Sequence, residues 1–139
     1  MKSQKICNYI VEYNIMKVLL LHLLIIGSIF ANSKIYNAYA LAIYDKDGNK
    51  EIIKNKRITN KDYKNICITE VFVNSRFKTD IPNVSIGNSR GHYQSSKSVY
   101  NKNNIKVGEI MKFKHYNVNK GYLIITINNK IYDRKTYVK

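Results

Sequence analysis

Apolar and polar positions alternate most regularly near the C-terminal end of the chain, in the stretch IKVGEIMKFKHYNV. The apolar face of this stretch is formed by Ile105, Val107, Met111 and Phe113. The opposite face carries two basic residues and one aromatic residue, Lys112, Lys114 and Tyr116. Because successive side chains of a strand point to opposite sides of a sheet, this period of two predicts a half-buried strand with a basic outer face.

The segment after it, YLIITI, is apolar on both faces and predicts a buried strand. Asn128 and Asn129 follow, and asparagine tolerates the positive φ that tight hairpin turns require. The stretch KIYDRKTYV then predicts the returning strand. A two-residue and a three-residue loop would place Ile131 and Tyr132 on opposite faces, so the pattern leaves this register open.

Further strands are predicted upstream. Residues 65–77, NICITEVFVNSRF, are apolar on both faces, which is typical of a central strand, and Glu70 within them is expected to lie near an edge or to be paired. Residues 54–64 predict a basic loop or a short helix, and residues 87–91 predict a loop. Six or seven short strands with regular turn signals and no helical stripe predict an all-β fold, a small antiparallel β-sandwich.

The stretch VGEIMKF followed by KGYLIITINNKIY resembles the late strands of bacterial immunoglobulin-like modules, in which a V-G-E-x-apolar-x-F pattern precedes a terminal hairpin. The resemblance covers about residues 105–138. The chain lacks the Cys and Trp landmarks of antibody-type domains and contains no Trp. The resemblance implies an immunoglobulin-like sandwich in an extracellular setting, and it assigns no functional residue.

A different pattern occupies residues 16–42, MKVLLLHLLIIGSIFANSKIYNAYALA. The apolar run Val18–Phe30 is shorter than the roughly 20 residues that cross a bilayer. It has the length of the apolar region of a secretory signal, about 7 to 15 residues. Ala38-Tyr39-Ala40 supplies the small-x-small pattern of a cleavage site, and cleavage after Ala40 is preferred because strand-like sequence begins there. Ala31-Asn32-Ser33 is a second candidate site.

These patterns divide the chain into a leader with its signal helix, residues 1–40, and one small domain, residues 41–139. Met16-Lys17 also has the form of a signal start, so Met16 is an alternative initiator. An uncleaved anchor and a buried helix of a cytoplasmic domain are the alternatives for the apolar run. Contact with a membrane is expected only through this segment, if it is uncleaved.

Charge then points to the class of partner. The chain has 24 basic and 9 acidic side chains, a formal net charge of +15. Such a field attracts polyanions, among which an anionic cell-wall polymer fits a secreted protein better than nucleic acid does. The abundance of Asn, Lys, Ile and Tyr resembles low-GC bacterial proteins, and that codon bias accounts for part of the basicity.

Cysteine usage excludes an internal disulfide in the mature domain, because Cys7 lies in the leader and Cys67 is the only other cysteine. Cys67 lies among Ile and Val and is expected to be a small buried hydrophobe. Nothing beside it in the sequence would lower its pKa, so a catalytic thiol is not favoured.

The stretch DKDGNKE places Asp45, Asp47 and Asn49 at alternate positions, as in calcium loops. An EF-hand needs glycine at its sixth position and glutamate at its twelfth, where this chain has Lys50 and Lys56. A plain turn is therefore preferred to a weak calcium site.

Evidence for catalysis in the sequence is thin. His92, beside Arg90 and Tyr93 in a glycine-flanked segment, is the one candidate for a base or a phosphate ligand. No glycine-rich phosphate loop, zinc spacing or G-x-S-x-G occurs, and no cofactor is expected.

The sequence thus predicts a small secreted bacterial protein that is not an enzyme and that binds a protein or an anionic envelope polymer. Its candidate binding residues are Lys112, Lys114, Tyr116, Arg90 and His92. The alternatives are a secreted enzyme or toxin-type effector that uses His92 and Arg90, and a structural module. A concave pocket joining these two residues to a carboxylate would favour the enzyme, whereas a flat basic or tyrosine-lined face would favour binding.

Overall fold

The computed structural model describes residues 35, 37–77 and 79–139, and all regular elements in these ranges are β-strands. The strands are β1 (Asn37–Tyr44), β2 (Lys50–Ile52), β3 (Asn65–Asn74), β4 (Asn83–Ile86), β5 (Ser89–Tyr100), β6 (Lys106–Val118), β7 (Gly121–Ile127), β8 (Lys130–Asp133) and β9 (Tyr137–Val138). The prediction of an all-β fold is confirmed. The predicted signal helix lies outside the described residues.

All strand pairs are antiparallel, and hydrogen bonds join the strands in one path, β2-β1-β3-β6-β5-β4-β7-β8, with β9 paired to β7. The pairing therefore forms one continuous antiparallel sheet. Residues from distant parts of this path share one core: Val71 and Phe113 from one half, Val84 and Ile125 from the other. A second link joins β1 to β8, where the buried Ala40 N–H donates to the Asp133 carboxylate at 3.1 Å.

The first strand begins earlier than the predicted domain boundary at residue 40. Ala38 and Ala40 are buried in the core and pair with Val73 and Val71 of β3. Ile35, which precedes the strand, also packs against the core. Ala38 and Ala40, the two small residues of the predicted cleavage site, are thus also buried residues of β1.

Strand β3 is central, as predicted, and lies between β1 and β6. Its inner side chains are buried, and they are Cys67, Thr69, Val71 and Val73. Glu70 faces the other side, where it is paired with Lys50 at 3.1 Å and with Lys112 at 3.4 Å. Of the two expectations for Glu70, pairing is the one that the structure shows.

The terminal hairpin has a two-residue loop. Ile127 pairs with Lys130, and Asn128 and Asn129 between them have φ values of 49° and 62°. This register leaves Ile131 54% exposed and packs Tyr132 against the core. Asparagine tolerates the positive φ that a two-residue turn requires at both positions. This turn therefore determines the register that the hydrophobic pattern left open.

Two local predictions were wrong. Residues 87–91 form a loop only at Gly87 and Asn88, since β4 ends at Ile86 and β5 begins at Ser89. Glycine often ends a strand, but Gly91 lies within β5, where a Cβ would come within 2.8 Å of the His115 ring. The prediction that Ile105 lies on the buried face of β6 is also wrong, because Ile105 precedes that strand and is 50% exposed.

The glycine of the VGE stretch has a packing role. A Cβ at Gly108 would lie 2.5 Å from the Val73 carbonyl oxygen and 2.6 Å from the Phe72 ring. Since real Cβ atoms do not approach other atoms this closely, only glycine lets β6 pass beneath Phe72 without displacing β3.

Candidate anionic-ligand binding face

The pairing of β1, β3, β6 and β5 places outward side chains from four strands side by side. One cross-strand row runs Tyr44, Ile68, Lys114, His92, and the next runs Ala42, Glu70, Lys112, Ser95. Strand β2 adds Lys50 beside Tyr44. We call the exposed surface formed by Tyr44, Lys50, Lys112, Lys114, Tyr116 and His92 the basic face.

Three ammonium groups of the basic face rest on tyrosine rings. The Nζ atoms of Lys50 and Lys112 lie 5.4 Å and 5.3 Å from the centre of the Tyr44 ring. The Nζ of Lys114 lies 5.1 Å from the centre of the Tyr116 ring. Each such contact contributes about 0.5–1 kcal/mol at an exposed site. These contacts restrict where the ammonium groups lie.

One carboxylate, that of Glu70, lies within the two rows. Its burial acts to raise its pKa, but hydrogen bonding with Tyr44, Lys50 and Lys112 outweighs burial and lowers the pKa. Glu70 is therefore ionised at neutral pH and holds Lys50 and Lys112 in position. One negative charge does not cancel the three ammonium groups, so the face keeps a net positive charge.

Strand β6 presents its predicted binding residues as the alternation indicated. Met111, Phe113 and His115 are buried, and Lys112, Lys114 and Tyr116 lie on the opposite side. His92 joins them because it pairs with Lys114, and its ring meets that of Tyr116 edge-on with centroids 5.6 Å apart.

Arg90 and His92 line a pocket of about 400 Å³ where β4 and β5 diverge. Ile81, Pro82, Tyr93 and Phe113 also line it. No Asp or Glu belongs to this lining, so the pocket does not bring a carboxylate to His92. The geometric criterion stated for the enzyme alternative is not met at this pocket.

Cys67 and His115 are cross-strand neighbours on the inner side of the sheet, and both are fully buried. Burial raises the pKa of the Cys67 thiol to about 12 and lowers the pKa of His115 to about 4. The imidazole Nε2 lies 3.0 Å from the Thr69 hydroxyl. A protonated thiol and a neutral imidazole without access to solvent are core groups rather than a nucleophile and its base.

Cys67 is expected to react slowly with a thiol reagent in the native protein and rapidly in denaturant. The test is the rate of labelling in a Cys7→Ser variant of the full chain, in which Cys67 is the one remaining thiol. Fast labelling of the folded variant would contradict the buried position and would restore the nucleophile as a candidate.

The acidic stretch at residues 45–49 forms the turn between β1 and β2. The Asp45 carboxylate accepts hydrogen bonds from the Asp47 and Asn49 N–H groups at 3.0 Å and 2.8 Å, and Gly48 has φ 83°. Lys61 adds an ammonium group 3.5 Å from the same carboxylate. Within the described ranges, no group of three or more His, Cys, Asp or Glu side chains is arranged to hold a metal ion.

Sequence reasoning found the β6 part of the basic face and missed the part contributed by Tyr44 and Lys50. These two residues flank the β1–β2 turn, and only the pairing of β1 with β3 brings them beside Lys112. The sequence did contain one signal for them. An isolated glutamate in a central strand, Glu70, requires basic partners on the neighbouring strands.

Comparison of the chain with models of protein families, with curated proteins and with solved structures gave no match. The part of the chain that the structure describes contains no helix with the length and hydrophobicity needed to span a membrane.

Proposed function

We propose that the protein is a small secreted bacterial binding protein, without catalytic activity, whose basic face binds an anionic polymer of the cell envelope. The observation that carries this proposal is the set of three lysines, Lys50, Lys112 and Lys114, held on tyrosine rings across one exposed face with a single carboxylate among them.

An extended polymer suits this face better than a small anion. Lys112 and Lys114 are separated by two residues along β6, about 6.6–6.8 Å, and Tyr116 continues the same line. Strands β1 and β3 lie between Lys50, on β2, and β6. The ammonium groups of Lys50 and Lys112 meet at Glu70, and Lys114 extends this positive charge along β6. A chain with repeated phosphates can contact several of them at once, and each contact releases a counterion.

For the fold, we propose an immunoglobulin-like, two-layer sandwich formed by the two halves of the sheet. The shared core supports it, since residues of β3 and β6 pack with residues of β4 and β7. The hydrogen bond from Ala40 to Asp133 also supports it, because it joins strands that lie near opposite ends of the hydrogen-bonded path.

For the compartment, we propose secretion, with cleavage after Ser33 rather than after Ala40. Cleavage after Ala40 would remove half of β1 with two buried alanines and would take the Ala40 N–H from the buried Asp133 carboxylate. Cleavage after Ser33 leaves Ile35 and the whole strand in place. Mass spectrometry of the secreted protein is expected to find Lys34 at the N-terminus, and finding Leu41 there would refute this placement.

Neutralising the basic face is expected to weaken polymer binding. The variant Lys112→Gln with Lys114→Gln removes two positive charges and avoids placing a new carboxylate beside Glu70. Its affinity for fluorescently labelled poly(glycerol phosphate), measured by anisotropy at low salt, should fall about tenfold. The slope of log affinity against log salt concentration should decrease in magnitude by about two.

The matched control is Lys130→Gln with Lys135→Gln, which removes the same charge from exposed positions outside the basic face. It should bind nearly as the native protein does. Equal losses in the two double variants would mean that net charge alone attracts the polymer, and the basic face would lose its role. If the native protein binds no polyanion at low salt, a protein partner becomes the better proposal.

A further inference from the structure

Strand β5 has a free edge. Its pairing with β4 is limited to Ser89 and Arg90, whereas its pairing with β6 continues to Tyr100. Within the described ranges, no strand pairs with the second edge of β5 from Gly91 to Tyr100. A free edge offers unpaired N–H and C=O groups to any extended segment that lies beside it.

The two sides of this edge differ in chemistry. By their pairing with β6, His92, Ser95 and Lys97 belong to the outer side, which also carries the basic face. Tyr93 belongs to the inner side, where its ring meets the Phe113 ring edge-on with centroids 6.0 Å apart. The sequence of β5, SRGHYQSSKSVY, contains no acidic residue. The edge is therefore basic on one side and aromatic on the other.

The pocket lined by Arg90 and His92 lies at the start of this free edge. It is also lined by Ile81, which is 57% exposed, and by Tyr93, which is 41% exposed. These two exposed apolar side chains lie next to Arg90 and His92, at the start of an edge with which no described strand pairs. They form a place where a side chain of an added strand would be held.

We propose that the free edge of β5 is a strand-addition site for an extended segment of a protein partner in which acidic and apolar residues alternate. Backbone hydrogen bonds to β5 supply affinity, and alternate side chains supply specificity. The acidic side chains would lie beside Arg90, His92 and Lys97, and the apolar ones beside Tyr93 and Ile81. This site adjoins the basic face and shares His92 with it, but strand addition does not depend on polymer binding.

Charge also excludes a second copy of this chain as the occupant. Pairing of two β5 edges would bring Arg90 and Lys97 of each copy toward the same basic residues of the other, between chains that both carry a large net positive charge.

The proposal is tested with a short fluorescent peptide of alternating glutamate and valine, added to the secreted protein at low salt. The matched peptide has the same sequence but carries a methyl group on every peptide nitrogen, so it keeps its charges and side chains and has no backbone donor. The unmethylated peptide is expected to bind at least about tenfold more tightly. Binding should also protect from hydrogen exchange those backbone amides of residues 95–100 that point away from β6.

Arg90→Glu and Lys97→Glu should each lower the affinity for the unmethylated peptide by about threefold to tenfold. Lys130→Glu, in the hairpin of β7 and β8, should leave this affinity unchanged. Equal affinity for the two peptides, or binding of neither, would overturn strand addition. Because poly(glycerol phosphate) has no backbone donors, its binding by the basic face is measured independently, and either proposal can fail while the other stands.

Discussion

Acidification from about pH 6.5 to about pH 4 is expected to lower the free energy of unfolding by about 3 kcal/mol through one residue, His115. The imidazole is fully buried between β3 and β5, and burial lowers its pKa from 6.5 to about 4. Between these pH values the unfolded chain binds a proton at this position and the folded chain does not. Protons therefore favour unfolding, and stability falls as the pH is lowered through this window.

The measurement is chemical denaturation at several pH values between 4 and 7, on the native protein and on His115→Gln. The variant keeps an amide that can bond to the Thr69 hydroxyl and has no group that titrates in this range. Between pH 5 and 7, above the range in which the carboxylates contribute, its free energy of unfolding should be nearly independent of pH, whatever its absolute value. His92→Gln is the matched control, because it also removes an imidazole but leaves His115 buried, and it should retain most of the pH dependence. An unchanged slope in His115→Gln would contradict the assignment.

His115 also shows where sequence reasoning succeeds. It continues the alternation of Met111 and Phe113, and that pattern alone predicts that it ends a buried row. The same parity places Lys112 and Lys114 outward. These predictions depend only on neighbouring residues in one strand, for which the period of two is a direct consequence of backbone geometry.

Features that depend on pairing between distant segments could not be predicted in this way. The basic face needs β1 beside β3 and β3 beside β6, and the strand pattern contains no information on that order. The free edge of β5 likewise depends on where β4 stops pairing, after Arg90. At residues 38–40 a local pattern had two meanings, because small residues suit both a cleavage site and a tightly packed strand.

Glu51→Gln is expected to lower the free energy of unfolding by about 2 kcal/mol at neutral pH. The buried Glu51 carboxylate organises the loop between β2 and β3 by accepting hydrogen bonds from the Lys56 ammonium group at 3.0 Å, the Asn60 N–H at 2.8 Å and the Tyr63 hydroxyl at 2.9 Å. An amide in place of the carboxylate would turn its N–H groups toward some of these donors, which would leave buried polar groups without partners.

The pH dependence separates this effect from that of His115. Burial acts to raise the pKa of Glu51, but the hydrogen bonds from Asn60, Lys56 and Tyr63 outweigh it, and the pKa is lowered from 4.5. A carboxylate with a lowered folded-state pKa stabilises the fold above its unfolded pKa, and this contribution is lost as the pH falls below about 4.5 through the folded value. The deficit of Glu51→Gln relative to the native protein should therefore be constant from pH 5 to 7 and should shrink at lower pH.

Asp62→Asn provides the control for Glu51→Gln. It removes an exposed carboxylate of the same loop, whose contacts are with the neighbouring Lys64, and it should leave the free energy of unfolding nearly unchanged. Urea denaturation of both variants at pH 7 and at pH 4 is the measurement. Equal destabilisation by the two substitutions, or a Glu51→Gln deficit that persists unchanged in acid, would show that this buried carboxylate does not organise the loop through its charge.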